Sequence, residues 1–451
     1  MMTDLAVKPL SVIQQTMWLE HRLAPRSAAY NLVLPLRIRA RLDVAALSRA
    51  VELVAERHEL LRTRFLEVEG RPCRVPDDRP LARLELLPQP AGGVAEAARE
   101  YVRRPFDLST GAFRVGLLPV SGTEAVILPV AHHIAGDFMS HWLIVRDLLN
   151  AYRDGALPEP SGHYDVFVAE EARIVASPIG ERSRAYWSAR ADGAAAAELP
   201  ADRPRPALSR RVGASRRARL DPDVAAGLPQ AARDAGVTPF ALLLGAFTAL
   251  VRRYTAQDEF LVGVPATNRL GVQMREVAGA FVNPLPIRAR FRAGATFRDA
   301  AADAGEQLRT GMFHVRYPCG LLGGGAPMFR LAMLMVAADQ REPSVPYPAP
   351  GEETGPEIEY AGLPVALMDV PSQEGQMDLV IRVEQNSAGI DMVFAYDSDL
   401  YDESTIDRFI GQFQRFARAA VTDVDTEVDQ TPLTGDDELA ALLALGGVWG
   451  E

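Results

Sequence analysis

The seven residues from Ala125 to Ala131 (AVILPVA) carry no charge and no hydrogen-bonding side chain, and they run straight into two adjacent histidines, His132 and His133. A run so short and apolar reads as a buried strand. After IAGDF, the segment Met139 to Tyr152 places Trp142, Val145, Leu149 and Tyr152 at helical spacing. A buried strand feeding a helix through a tight turn points to layered α/β architecture, with the histidines at the edge of the layer.

The rest of the chain continues this alternation. Asp43 reads as the N-cap of a helix reaching about Leu60, with Val44, Leu47, Val51 and Val54 on one face. In the second half, Pro239 to Tyr254 is an amphipathic helix with Phe240, Leu243, Phe247 and Leu250 aligned. Glu259–Ala266, Asn283–Phe291, Leu331–Ala338 and Asp378–Val383 read as strands. Two stretches lack such patterning. Ser188 to Arg219, with its alanine run, DRPRP and arginine pairs, reads as a solvated, partly extended inter-lobe linker. Arg341 to Pro371 is rich in Pro, Gly and Glu and reads as a long surface loop. The expected fold class is α/β (α+β) in two lobes, residues 1–180 and 181–451, with the linker at 188–219.

Composition narrows the function. The 451 residues suffice for two or three domains, and 48% hydrophobic against 24% charged residues allows substantial cores. A net charge of −11 opposes nucleic-acid binding, which needs a basic face, and does not favour an anionic membrane. The longest apolar stretch, Val237 to Val251, is interrupted by Thr238, Pro239, Gly245 and Thr248 and is shorter than a spanning helix requires. Met1 to Leu10 lacks the apolar core of a secretion signal. Cys73 and Cys319 are too far apart to suggest zinc-ligand spacing or a disulfide framework. Lys8 is the single lysine and has no Gly and Ser/Thr beside it, which excludes a Walker-type phosphate loop. The same lysine would have to carry any pyridoxal Schiff base, in a segment expected to fray. The expectation is a soluble, cytoplasmic, metal-free protein.

Of the histidines at 21, 58, 132, 133, 141, 163 and 314, only His132 and His133 are adjacent, and Asp137 follows four residues after the second. A histidine at a strand end can project into a cleft while the sheet holds its backbone. An aspartate where the next helix begins can cap that helix or take a buried arginine, and either bond fixes the turn that aims the imidazole. The N–H groups of the nascent helix suit a developing oxyanion. Histidine fits proton transfer because its ordinary pKa is about 6.5. No Gly-x-Ser-x-Gly elbow and no cysteine near the pair offers a nucleophile, so the residues suggest general-base acyl transfer without a covalent enzyme intermediate. His-x-x-x-Asp alone carries little weight; the doubled histidine carries more.

Further segments make a resemblance specific. LSVIQQTMWL, with Ser11, Gln14, Met17 and Trp18, and SAAYN at Ser27 to Asn31 resemble the opening of the condensation domains of nonribosomal peptide synthetases. RHELLRTRF at Arg57 to Phe65 is similar to the family's second motif, and AHHIAGDFMS at Ala131 to Ser140 to its HHxxxDG signature. Tyr186–Trp187, DRPRP, TNR at Thr267 to Arg269, AGAFVNPLP at Ala278 to Pro286 and YDSDLYD at Tyr396 to Asp402 extend the likeness over nearly the whole chain.

The resemblance implies two lobes similar to chloramphenicol acetyltransferase, set in a V around a tunnel. It implies acyl or peptidyl groups delivered on the phosphopantetheine of carrier proteins, with no cofactor bound covalently to this chain. The acceptor is an amine or hydroxyl on a second carrier or a small molecule. His133 would be the catalytic histidine, grouped with His132 and Asp137. By residue type alone, His132 reads rather as a packed, hydrogen-bonded ring. Asp137 would pair with Arg62 of the second motif. Gly136, Phe138, Ser140 and Asn283 would line the tunnel. A monomer is expected.

Two departures stand out. Phe138 occupies the signature's final glycine, so its ring must pack beneath the tunnel or narrow one branch, and Pro284 replaces the commoner threonine. No carrier signature is present, and the chain ends at LLALGGVWGE, which together suggest a free-standing enzyme served by separate carriers, or an excised domain. Two alternatives remain. One is a coenzyme A-dependent acyltransferase of the same superfamily, although its plant-type Asp-Phe-Gly-Trp-Gly motif is absent. The other is a catalytically silent recruitment module, although such modules usually lose one of the histidines and this chain keeps both.

Overall fold

The apolar run is a central strand, Glu124–His132, in which Ala125 to His132 are all buried. It lies at the heart of the first sheet in a computed structural model that describes residues 7–90, 92–206, 210–323, 327–337, 343–370, 375–386 and 389–435. Antiparallel partners flank it: Phe113–Ser121 on one side, Leu36–Ile38 and Asn31–Val33 on the other. Leu84–Leu86 extends one edge of the sheet in parallel. The helices Val44–Arg57 and Phe138–Asp154 pack with this sheet into one apolar core that includes Leu47, Val51, Val54, Trp142, Val145 and Leu149. Asp43 caps the first of these helices, accepting the N–H groups of Ala45 at 2.8 Å and Ala46 at 3.1 Å.

The second sheet runs in the order Val282–Arg290, Glu259–Thr267, Leu331–Ala337, Leu379–Asn386, Gly389–Asp397, Gly213–Arg219. Helices Pro239–Thr255, Phe297–Gly311 and Glu403–Thr422 cover it and form a second core around Phe247, Phe394, Phe413 and Phe416. Thr238 caps the first of these helices through the Ala241 N–H, with Pro239 opening the first turn where a missing N–H costs nothing. A small third sheet pairs Arg71–Pro76 with Thr63–Val68 and Lys8–Pro9.

Two expectations need correction. Within the expected linker, Gly213–Arg219 is an edge strand paired along its whole length with Gly389–Asp397. Its arginines are neutralised by neighbouring carboxylates, as in Arg219–Asp391 at 2.7 Å and Arg217–Asp369 at 2.9 Å. Within the expected loop, Ile358–Tyr360 and Leu363–Leu367 are strands, and the second pairs with Leu36–Ile38 of the first sheet. The first sheet thus takes in residues 358–367 from the second half of the sequence. The terminal segment LLALGGVWGE lies outside the described residues. Among the described residues no single helix is long and apolar enough to cross a membrane, although the bent pair Pro222–Asp234 and Pro239–Thr255 passes by length and composition.

Candidate active site

His132 is the last residue of the central strand, opposite Asn31, and its N–H donates to the Ala112 carbonyl at 2.8 Å. Its ring is buried, stacked on Tyr30 with centroids 5.6 Å apart and edge-on to His21 and Phe106. Nδ1 accepts the Ile134 N–H at 3.1 Å. Burial drives its pKa well below the ordinary histidine value, and His21, His133 and Arg114 push the same way. The His132 ring is thus packed against Tyr30, His21 and Phe106 and hydrogen-bonded within the turn, in keeping with the reading of a packed, hydrogen-bonded histidine.

One residue later the chain has left the ladder. The His133 N–H donates to the Tyr30 carbonyl at 2.8 Å, and its carbonyl accepts the Gly136 N–H at 3.3 Å. The ring is half-buried, and no hydrogen bond ties it to any described residue; Nδ1 is enclosed with no partner. Adjacent residues on one turn thus hold one imidazole that is spoken for and one that is not.

Two cavities are walled by both halves of the sequence, one lined by Tyr30 and the other by Phe138, the first helical residue after the turn. Tyr30, nearly perpendicular to the His133 ring at 6.3 Å, lines a cavity of about 470 Å³ whose walls include Val12 from the first half and Asn268, Asn283 and Gln376 from the second. Phe138 lines a cavity of only about 40 Å³, with Val33 and Leu34 facing Arg382 and Val393. The Phe138 ring meets Trp142 edge-on at 6.5 Å and lies 5.2 Å beneath the Arg382 guanidinium. Phe138 is thus one of the walls of the smaller cavity. His133 is not among the lining residues of either cavity.

Asp137 ends the turn and is the N-cap of helix Phe138–Asp154. Oδ1 accepts the Ser140 N–H at 2.8 Å, the Ser140 hydroxyl at 2.7 Å and Arg269 at 3.0 Å, and Oδ2 accepts the Phe281 N–H at 3.3 Å. Burial raises the carboxyl's pKa, but Arg269 and the Ser140 donors more than offset this and hold it below the ordinary aspartate value. Arg269 also donates to the Ser140 hydroxyl and to the carbonyls of Met274 and Val277, with its guanidinium 4.2 Å over the Phe281 ring. Gly279 closes the seam. Its carbonyl accepts the Asp137 N–H at 3.1 Å, and a Cβ there would sit 2.3 Å from the Tyr164 ring.

The expected alternatives for Asp137, helix cap or arginine partner, are both realised, but the arginine is not Arg62. Arg62 ends the 3-10 turn Glu59–Arg62, whose Leu60 and Leu61 are buried, and it donates instead to the Asp77 carbonyl. Two expected lining residues are also reassigned. Gly136 is buried against Ser140, the Ser140 hydroxyl is held within the Asp137–Arg269–Gly279 cluster, and neither is among the lining residues of the two cavities described above. Asn283 does line the larger cavity. Its amide nitrogen donates to the carbonyls of Val315 at 2.8 Å and Tyr317 at 2.7 Å, and its oxygen accepts the Cys319 N–H at 3.0 Å. It holds that wall rather than offering free hydrogen-bonding groups. The residue that sequence reasoning missed as Asp137's partner is Arg269, although it lies within the TNR segment already singled out.

The site thus holds an imidazole without a hydrogen-bond partner among the described residues, on a turn that the second half clamps through Arg269. Among the described residues no group of three or more His, Cys, Asp or Glu side chains could hold a metal. The model of the Condensation domain family matches residues 5–443, and the chain belongs to that family. It is 31% identical over 449 residues, 95% of its length, to phosphinothricin tripeptide synthetase PhsB of Streptomyces viridochromogenes, of which it covers 37%. It spans well under half the length of the first curated relatives it matches.

Two solved structures share the fold over nearly the whole of both chains. The first condensation domain of the calcium-dependent antibiotic synthetase, in complex with substrate analogue 3a, superposes with a TM-score of 0.75 at 26% identity, covering 95% of this chain and 99% of the other. The complex of the X-domain and OxyB from teicoplanin biosynthesis gives 0.82 at 25% identity, covering 97% and 98%. The expected α/β architecture of two acetyltransferase-like lobes is thereby established.

Proposed function

We propose that this chain transfers an acyl or peptidyl group from the phosphopantetheine thioester of a carrier protein to an amine or hydroxyl acceptor, forming an amide or an ester. The observation that carries this reading is the His133 imidazole, without a hydrogen-bond partner among the described residues and in contact with Tyr30, which lines a cavity walled by both halves, in a chain of the condensation family. The acceptor N–H or O–H attacks the thioester carbonyl while His133 takes its proton. The C–S bond then breaks, and the departing thiolate recovers the proton from the imidazolium. His132 and the Asp137–Arg269 pair act by positioning the turn.

The acceptor decides how much His133 matters. An α-amine, titrating near pH 7.7–8, is already partly nucleophilic at neutrality, and placement beside the thioester supplies most of its rate. A hydroxyl is far less acidic and needs the base. On this reading the protein is cytoplasmic, works as a monomer and carries no cofactor of its own.

A second reading has a specific observation behind it. The X-domain, solved in complex with OxyB, matches this fold with a TM-score of 0.82, and the cavity lined by Phe138 measures only about 40 Å³. A chain of that kind would dock a partner protein and turn nothing over. Intact mass measurement of an acyl-loaded carrier, before and after addition of this protein with amine and alcohol acceptors, separates the readings. Acyl loss with matching product is expected. Carrier binding without loss would favour the docking module, and equal transfer from the coenzyme A thioester would favour a carrier-independent acyltransferase.

A further inference from the structure

The carboxylates lining the larger cavity differ in what holds them. Glu20 accepts the Tyr30 hydroxyl at 2.5 Å and lies 3.5 Å from Arg211, Asp378 is held by both terminal nitrogens of Arg205, and Asp397 accepts the Asp399 N–H. Glu171 differs. It is 7% exposed, and among the described residues its one hydrogen bond comes from the Val12 N–H at 2.8 Å, with no cation within ion-pair distance. The arginines on the wall are committed elsewhere: Arg205 to Asp378, Arg211 to Glu20 and Arg330 to Glu198. Glu171 also stands where the cavity of about 470 Å³ adjoins two more, of about 510 and 610 Å³, and it lines all three. Phe167 and Asn268 are shared with the first of these, Val12 with the second. Burial pushes the carboxyl up to about 7, with the Val12 N–H pulling the other way. Its charged form lacks the partner that would stabilise it.

Resting on the acyl-transfer reading, we propose that Glu171 receives the ammonium group of the acceptor, so that this wall selects amine-bearing acceptors over their hydroxyl counterparts. A buried carboxylate with no cation of its own gains most from a ligand that supplies one. The neutral hydroxyl analogue leaves it as unpaired as before. A residue serving only to hold the first turn of helix Val12–Leu23 would show no such discrimination, and Glu171→Gln retains an oxygen for the Val12 N–H.

The test is equilibrium binding by calorimetry at about pH 7.5, where α-amines are still substantially charged. It uses the whole chain without donor, with leucine N-acetylcysteamine thioester as one probe and its 2-hydroxy analogue as the other. The wild-type protein should prefer the amine by about tenfold or more, and E171Q should lose that preference while binding the hydroxy probe within about twofold of wild type. Equal binding of the two probes by wild type, or an unchanged preference in E171Q, overturns the proposal. The wild-type comparison decides by itself should the variant not fold. Binding is read without turnover, so a chain that prefers the amine yet transfers nothing would refute the acyl-transfer reading alone, and a chain that transfers without the preference would refute this site alone.

Discussion

The strand–turn–helix unit that carries the histidines occurs twice. In the first half, strand Glu124–His132 leads through a turn to helix Phe138–Asp154, with Asp137 as N-cap. In the second, strand Gly389–Asp397 leads to helix Glu403–Thr422, with Asp402 as N-cap. In each unit the cap follows the last strand residue by the same interval, and that residue's carbonyl accepts the N–H three positions on, from Ala135 at 2.8 Å or Leu400 at 3.0 Å. The position after the strand is where they part. Among the described residues the His133 ring has no hydrogen-bond partner, whereas Ser398 donates both its N–H and its hydroxyl to the Val212 carbonyl at 2.9 Å. Asp137 is buried and bound to Arg269, whereas Asp402 is exposed, makes no side-chain cap and pairs with Arg203 at the surface. The backbone of the unit is set by packing. Its chemistry depends on a few turn residues and on whether the other half reaches across to clamp them.

This contrast can be broken at its strongest point first. Arg269→Ala leaves the Asp137 carboxylate buried without its cation and should cost about 3–5 kcal/mol, with activity falling in parallel. Arg62→Ala removes one bond to a carbonyl and should cost about 1 kcal/mol. Paired denaturant melts check this, and an equal loss in the two variants would restore Arg62 as the partner. The next effect concerns the buried histidine. His132→Phe keeps an aromatic ring against Tyr30 but leaves the Ile134 N–H unpaired, for a loss of about 1–3 kcal/mol, while activity per folded molecule survives.

The pH dependence of His132 sharpens the same point. Its folded pKa lies below the unfolded value, so as pH falls through about 6.5 the unfolded chain takes up the proton first and stability drops. The variant should show a shallower fall over that range in melts run from neutral to mildly acid pH. The smallest effect belongs to the second unit. Asp402→Ala, which breaks a surface pair with Arg203, should cost under about 1 kcal/mol and leave transfer rates unchanged.

The parallel between the units also marks what the sequence makes legible. Periodicity places the central strand and the helices after Asp43, Asp137 and Thr238 to within a few residues, because burial imposes that periodicity locally. The capping role of Asp137 is equally readable, since it stands where the helix begins. Contacts between distant segments are not. Arg216, Arg217 and Arg219 make the edge strand look like a solvated linker, because their neutralising carboxylates, Asp407, Asp369 and Asp391, lie more than a hundred residues away. Leu363–Leu367 reads as part of a loop because its partner strand is Leu36–Ile38, at the other end of the chain. Arg269 was missed for the same reason: which arginine meets Asp137 is a property of the seam between the halves.

The free imidazole at position 133 is the centre of this account, and its removal gives the most direct test. Single-turnover transfer from an acyl-loaded carrier should be followed in His133→Ala with an amine and its matched alcohol, alongside a melt to confirm folding. Ester formation should vanish, with a loss of about 10²–10⁴ or more attributable to the missing base, while amide formation persists at a reduced rate. Equal residual activity on the two acceptors, in a protein as stable as wild type, would contradict it.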